Sequence, residues 1–115
     1  MIVIHHNPAC GTSRNVLAAI EASGVRPVVI DYLKTGWTRA QLLGLFAAAG
    51  LTPSRAALRV KGTNAAELGL MQEGVDDETI LAAMVAHPVL VERPIVCAPK
   101  GVRLCRPSET VRELM

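Results

Sequence analysis

Short apolar runs alternate along the chain with segments whose apolar residues recur at helical spacing. Continuous runs of three or four apolar residues are typical of buried strands, and a spacing of three and four is typical of an amphipathic helix. The predicted strands cover residues 2–5, 28–30, 95–98 and 102–106. The predicted helices cover residues 12–23, 39–49, 54–58 and 108–114, and a further helix, capped by Asp76 or Asp77, reaches Ala86. This pattern indicates an α/β chain.

Turn residues and helix caps set the limits of these elements. Gly24 and Gly50 follow two of the predicted helices, as glycine does where a helix ends in a left-handed residue. Thr38 is suited to cap the helix that follows it. Residues 32–36 are predicted to form a loop, and residues 99–101 a hairpin turn.

The order of the elements is β-α-β, a helical insert and then β-β-α. A parallel unit followed by a hairpin and a closing helix is the thioredoxin arrangement, with a four-stranded mixed sheet and a right-handed first crossover. We expect one domain over residues 1–115, with the helical insertion at about residues 38–88. The run Val28–Ile30 is typical of a buried parallel strand.

The net charge and the apolar content of the chain limit the partners and the cellular location that we expect. The net charge is +2, which is too small to indicate a nucleic-acid partner. No apolar run approaches the ~18 residues that span a bilayer, so no membrane is expected. The N-terminal residues lack the features of a signal peptide. We therefore expect a cytoplasmic protein.

The chain contains three cysteines, Cys10, Cys97 and Cys105, without a C-x-x-C pair. This odd number is typical of a reducing compartment rather than of a disulfide scaffold. With a three-residue turn at 99–101, Cys97 would face Arg103 and lie only diagonal to Cys105. A disulfide between Cys97 and Cys105 is therefore not expected.

Cys10 stands where the first strand gives way to the first helix. Asn7 and Pro8 end the strand, and Gly11 to Ser13 supply a flexible backbone with hydroxyl groups for capping. The unpaired N–H groups and the positive end of a helix stabilise a thiolate and attract anions. This position predicts a reactive cysteine.

Four segments of the chain resemble the ArsC-type arsenate reductases that are coupled to glutaredoxin. They lie in the family's order and at similar spacing, and together they span nearly the whole chain. The segments are His6–Asn15, Arg55–Arg59, His87–Pro88 with Glu92–Val96, and Gly101–Glu109.

The resemblance implies a thioredoxin-like fold with a helical insert and the reduction of arsenate to arsenite. It implies that Cys10 attacks arsenate, that glutathione resolves the adduct as co-substrate, and that glutaredoxin completes the reduction. No tightly bound cofactor and no metal are implied. The matching positions are Arg59, Arg93 and Arg106 for holding the oxyanion, His6 and Ser13 for helping Cys10 to ionise, and Pro94 for a cis-proline.

Elementary chemistry agrees with these roles. A helix N-terminus, one protonated histidine and several arginines could lower a cysteine pKa enough to make the thiolate the main form at pH 7. Three guanidinium groups would neutralise a tetrahedral oxyanion and orient it for attack.

Several alternatives remain open at this point. Cys10 could be a small buried hydrophobe, or a metal ligand with His5 and His6. Arg14 and Arg103 could line the site as well as the three chosen arginines, and each arginine could be a solvated surface charge.

Other enzyme classes fit less well. A phosphatase-like loop needs arginine six positions after the cysteine, where this chain has Val16, and a self-contained dithiol needs cysteine where it has Ser13. The remaining alternative is an ArsC-like protein of other function, either a glutathione-dependent thiol reductase or an Spx-like regulator that binds RNA polymerase.

Overall fold

The computed structural model describes all residues, 1–115. Its strands are β1 (Val3–His6), β2 (Val28–Asp31), β3 (Ile95–Ala98) and β4 (Gly101–Leu104). Its α-helices are α1 (Gly11–Ala22), α2 (Tyr32–Thr35), α3 (Arg39–Ala49) and α4 (Asp77–Ala86). Three 3₁₀ helices cover Ser54–Ala57, Pro88–Leu90 and Ser108–Leu114. None of the helices has the length and apolar content needed to cross a membrane.

The four strands form one mixed sheet in the order β2-β1-β3-β4. Strand β1 pairs in parallel with β2 and antiparallel with β3, and β3 pairs antiparallel with β4. The parallel pair needs the crossover that α1 supplies, whereas a tight turn suffices for the antiparallel pair. The predicted α/β class and four-stranded mixed sheet are confirmed.

The chain divides into two compact units. The first contains residues 1–35 and 93–115, and the second contains residues 36–92. In the first unit, helix α1 and the 3₁₀ helix Ser108–Leu114 pack together. Its buried apolar cluster consists of Ile2, Ile4, Val16, Ile20, Val96, Cys105, Val111 and Leu114. Apolar side chains thus hold together β1 and α1, the two elements that flank Cys10.

The second unit is helical, and its helices begin and end as the sequence predicts. Thr38 caps α3 in a capping box with Gln41, and Gly50 ends it with a left-handed φ of 71°. The Asp76 carboxylate caps α4 by accepting a hydrogen bond from the Thr79 N–H. Capping side chains satisfy N–H groups that have no partner within the helix.

Two local predictions are wrong. Strand β2 is an edge strand, so Val28 and Val29 are 43% and 47% exposed instead of buried. The predicted loop 32–36 contains the helical turn Tyr32–Thr35, whereas the predicted last helix is present as a 3₁₀ helix. A continuous apolar run occurs in both central and edge strands. It therefore does not show which position a strand takes in the sheet.

The predicted hairpin register is also wrong. Ala98 pairs with Gly101, so the turn has two residues and Cys97 pairs with Val102 rather than facing Arg103. Gly101 has a φ of 143°, a conformation that L side chains rarely adopt. All three cysteines are free thiols, as expected.

Two glycines near α3 provide a matched test of helix termination. Gly50→Ala should lower the free energy of unfolding by about 1 kcal/mol, because alanine is strained at a left-handed φ. Gly44→Ala, in the exposed middle of α3 with open space around it, should raise that free energy by about 0.5–1 kcal/mol. Denaturant unfolding measures both changes. Equal effects of the two substitutions would contradict this account of the end of α3.

Candidate active site

Cys10 is the N-cap residue of α1, at the end of the turn that leaves β1. Its backbone is extended, with φ −94° and ψ 122°, an ordinary conformation for a residue before a helix. The Cys10 N–H donates to the Asn7 carbonyl at 3.0 Å, and the Arg14 N–H donates to the Cys10 carbonyl at 3.0 Å. The cysteine therefore belongs to both the turn and the first turn of the helix.

Ser13 ties this loop to β1. Its Oγ lies 2.6 Å from His6 Nδ1 and accepts a hydrogen bond from the Asn7 N–H at 3.1 Å. Both His6 and Ser13 are buried, so neither group can exchange these partners for water. The pair predicted to assist Cys10 is therefore held together, and it fixes the start of the loop.

Two of the three predicted arginines lie at Cys10. Arg106 Nη1 is 3.8 Å from the Cys10 Sγ and also donates to the Arg93 carbonyl at 3.0 Å. The Arg93 Nε and Nη1 atoms are buried and have no hydrogen-bond partner in the protein. The Arg93–Pro94 peptide bond is cis. The first unit thus brings a thiol, two guanidinium groups and unused donors together.

These groups set the ionisation of the thiol. Burial raises the pKa of Cys10, but the Ser13 N–H and the guanidinium groups of Arg93 and Arg106 outweigh it and lower the pKa from 9.0 to about 7. The Ser13 N–H acts on the thiolate although the sulfur makes no regular capping hydrogen bond. About half of the protein should therefore carry a thiolate at pH 7.

The surroundings of His6 disfavour the positive charge that the sequence suggested. Burial lowers its pKa below 6.5, the Asp31 carboxylate partly opposes this, and the Arg14 guanidinium adds to it. A histidine with a lowered pKa is mostly neutral at pH 7. Its contact is with the Ser13 hydroxyl, so its contribution is to the hydrogen bonding of the loop rather than to its charge.

The other two cysteines have the opposite environment. Burial raises the pKa of Cys97, and burial with the Glu113 carboxylate raises the pKa of Cys105 to about 12 despite the Arg103 guanidinium. Thiols with raised pKa values are poor nucleophiles at pH 7 because the thiolate is the reactive form. Cys10 alone is suited to nucleophilic attack.

The third predicted arginine, Arg59, lies in the second unit. Its Nη1 is 3.2 Å from Glu92 Oε1, with the two side chains 15% and 23% exposed, and its Nε donates to the Lys61 carbonyl at 3.1 Å. The Arg59 N–H donates to the Leu90 carbonyl, and the Glu92 N–H donates to the Ala57 carbonyl. Paired backbone segments therefore hold this arginine and its carboxylate partner.

The structure gives roles to two residues that the sequence left undecided. Arg14 donates from Nη1 to the Pro8 carbonyl at 2.9 Å and so braces the loop from outside. Arg103 pairs with Glu113 at 3.7 Å and donates to the Val102 carbonyl. Sequence reasoning missed the loop contacts of Asn7 and the carboxylate of Glu92. An asparagine before proline signals a turn but does not reveal its partners.

Comparison with known proteins identifies the family. The sequence model of the ArsC family matches residues 5–114. The chain belongs to the ArsC family. The resemblance seen in the Cys10 loop and in the three later segments is thereby confirmed.

Relatives within the ArsC family are similar over nearly all of this chain and about four fifths of their own length. An arsenate reductase of Synechocystis is 67% identical over 115 residues, which are all of this chain and 81% of that protein. The arsenate reductase of Escherichia coli is 48% identical over 114 residues, covering 99% of this chain and 80% of that protein.

A solved structure shows the same architecture. The arsenate reductase from Vibrio cholerae is 41% identical, with a TM-score of 0.92 over 99% of this chain and 97% of that one. The predicted thioredoxin-like fold is confirmed by this likeness.

The ionisation of Cys10 can be measured directly. The pH profile of iodoacetamide alkylation should give a pKa of about 7, and Arg106→Ala should raise it by about one unit, since it removes one stabilising cation. A Cys97→Ser background removes the half-buried second thiol. Arg103→Ala, which removes an equal charge paired with Glu113, should leave the Cys10 pKa unchanged. Equal shifts in both arginine variants would show a general charge effect.

Proposed function

We propose that this protein is an arsenate reductase that reduces arsenate to arsenite, with Cys10 as nucleophile and glutathione with glutaredoxin as the source of electrons. The observation that supports this most strongly is the Cys10 thiol, whose pKa is lowered to about 7 beside Arg93 and Arg106. Membership of the ArsC family and relatives named as arsenate reductases give the substrate.

Arsenate fits the donors around Cys10. It is a tetrahedral anion at neutral pH, and its oxygens accept several hydrogen bonds at once. The Arg93 Nε and Nη1 donors have no partner in the protein, and buried donors of this kind are costly unless a ligand satisfies them. Guanidinium groups bind such oxyanions well because their donors are planar and fixed in direction.

The first chemical step is attack of the Cys10 thiolate on arsenic. A sulfur–arsenic bond forms, an arsenic–oxygen bond breaks, and the oxygen leaves as water after it has been protonated. Arg93 and Arg106 stabilise the charge on the remaining oxygens, which strengthens arsenic as an electrophile. Arsenic is still pentavalent in this adduct.

Reduction then requires two electrons, which two thiols supply. The glutathione thiolate attacks the Cys10 sulfur, so that a disulfide between Cys10 and glutathione forms as the sulfur–arsenic bond breaks. The electron pair of the broken bond passes to arsenic, which leaves as trivalent arsenite, and one disulfide forms for each arsenate that is reduced. Glutaredoxin returns that disulfide to the thiol state. Neither Cys97 nor Cys105 is suited to act as the second thiol, because their pKa values are raised. The need for an external thiol agrees with a reducing compartment, the cytoplasm.

Arg59 is proposed as the third oxyanion-binding arginine on the basis of the family resemblance. Its guanidinium has five N–H donors, of which the Lys61 carbonyl and the Glu92 carboxylate accept two. His6 and Ser13 are proposed to keep the Cys10 loop in its reactive form through their 2.6 Å contact.

Substitution of the cysteines tests the nucleophile. Cys10→Ser should abolish arsenate reduction in an assay with glutathione, glutaredoxin and glutathione reductase, followed by NADPH oxidation and arsenite release. Cys97→Ser should retain turnover, because that thiol is not ionised at pH 7. Turnover by Cys10→Ser would remove Cys10 from the mechanism. Arms with phosphate and with a disulfide substrate separate arsenate reduction from general thiol reduction.

Substitution of the arginines tests oxyanion binding. Arg59→Ala, Arg93→Ala and Arg106→Ala should each lower kcat/KM for arsenate roughly ten- to a hundred-fold, the usual effect of losing a charge-assisted contact. Arg112→Ala, on the surface of the 3₁₀ helix Ser108–Leu114, is the matched control and should retain activity. Unchanged kinetics in any one of the three variants would remove that arginine from the site.

A further inference from the structure

Asn7 is a buried polar residue that the proposed chemistry does not use. It is 3% exposed and lies three residues before Cys10. Its Oδ1 accepts a hydrogen bond from the Ala9 N–H at 2.9 Å. Because the Ala9 N–H is a donor, the side-chain atom that faces it must be the oxygen, and this fixes the orientation of the amide.

The backbone carbonyl and the backbone N–H of Asn7 both form hydrogen bonds within the same turn. Its carbonyl accepts a hydrogen bond from the Cys10 N–H at 3.0 Å, and its N–H donates to the Ser13 Oγ at 3.1 Å. An asparagine side chain that bonds the backbone two residues later mimics a backbone turn. Asn7 thus combines a side-chain turn with a backbone turn over residues 7–10.

Pro8 reduces the number of backbone N–H donors in this turn. Proline has no backbone N–H, so the only N–H groups between Asn7 and the helix are those of Ala9 and Cys10. Both of them donate to Asn7, one to Oδ1 and one to the carbonyl. The path of the chain into Cys10 therefore depends on acceptors that a single residue provides.

We propose that Asn7 is a positioning residue for the Cys10 nucleophile, and that its side-chain oxygen keeps the sulfur beside the Ser13 N–H and the Arg106 guanidinium. The inference rests on the Cys10 assignment of the proposed function, but it concerns the reactivity of the thiol and not the identity of the substrate. Loss of the Oδ1 acceptor should let residues 8–10 relax, and the sulfur would then leave the groups that stabilise its charge.

Asn7 carries no charge, so its substitution by another neutral residue leaves the electrostatic setting of the loop intact. The charged side chains that act on Cys10 are Arg93 and Arg106, and those that act on His6 are Asp31 and Arg14. All of them remain in an Asn7 variant. A change in the ionisation of Cys10 would therefore report a change of position rather than the loss of a neighbouring charge.

Three variants in the Cys97→Ser background test the proposal by the pH profile of iodoacetamide alkylation. Asn7→Ala should raise the Cys10 pKa by about half a unit to one unit, because both stabilising contacts weaken. Asn7→Ser keeps a side-chain oxygen that can bond the backbone two residues later, although less well, and should fall between wild type and Asn7→Ala. Asn15→Ala, an exposed asparagine on α1, is the matched control and should behave as wild type.

The outcomes separate the proposal from its alternatives. A wild-type Cys10 pKa in folded Asn7→Ala overturns it, as does an equal shift in Asn7→Ser and Asn7→Ala, which would show that the oxygen acceptor is not the cause. If Asn7→Ala does not fold, Asn7→Ser decides, since a wild-type pKa there with unchanged thermal unfolding also overturns it. Shifted pKa values in a protein that does not reduce arsenate would support Asn7 and reject the proposed function.

Discussion

The stabilisation of negative charge on the Cys10 sulfur is the interaction on which the site depends. A buried thiol resists ionisation, and here burial does raise the pKa of Cys10. Three donors oppose it, namely the Ser13 N–H at the start of α1 and the guanidinium groups of Arg93 and Arg106. They come from three separate places in the chain, so the lowered pKa requires that β1, α1 and the hairpin be assembled into one sheet and its covering helix.

This dependence on position explains why the three thiols of the chain differ in pKa. Cys97 lies in β3 and Cys105 follows β4, and neither meets a helix N-terminus. For these two, burial acts almost without opposition and the thiol form persists. The fold therefore lowers the pKa of one cysteine by its position and leaves the other two as thiols. This difference agrees with the proposed mechanism, in which the second thiol comes from outside the chain.

Much of this arrangement could be predicted from local sequence. The caps at Thr38 and Asp76, the glycine that ends α3 and the position of Cys10 at a helix start all follow from rules that act over a few residues. The edge position of β2 and the hairpin register could not be predicted, since they depend on which strands become neighbours. The neutrality of His6 depends on how deeply it is buried, and its sequence neighbours do not reveal this depth.

The contacts of the arginines also could not be predicted from sequence spacing alone. Arg93, Arg103 and Arg106 are equivalent by sequence spacing, yet one pairs with a carboxylate and two lie at the sulfur. The two arginines that act on the Cys10 sulfur, Arg93 and Arg106, are among those that the family resemblance indicated, and their role toward an oxyanion stays a prediction. The proposed positioning role of Asn7 could not be predicted from the sequence, because it depends on hydrogen bonds to neighbouring residues that any turn-forming asparagine could make.

The extended backbone of Cys10 has a consequence for how the site responds to its surroundings. With φ at −94° and no residue other than glycine at a positive φ in the chain, the reactive residue sits in a relaxed conformation. Its reactivity therefore comes from electrostatic stabilisation of the thiolate rather than from backbone strain. Dissolved ions screen exposed charges over about 10 Å at 0.1 M salt but screen buried ones much less. Because Cys10 and the Arg93 donors are buried, the surrounding salt changes this stabilisation less than it would at an exposed cysteine.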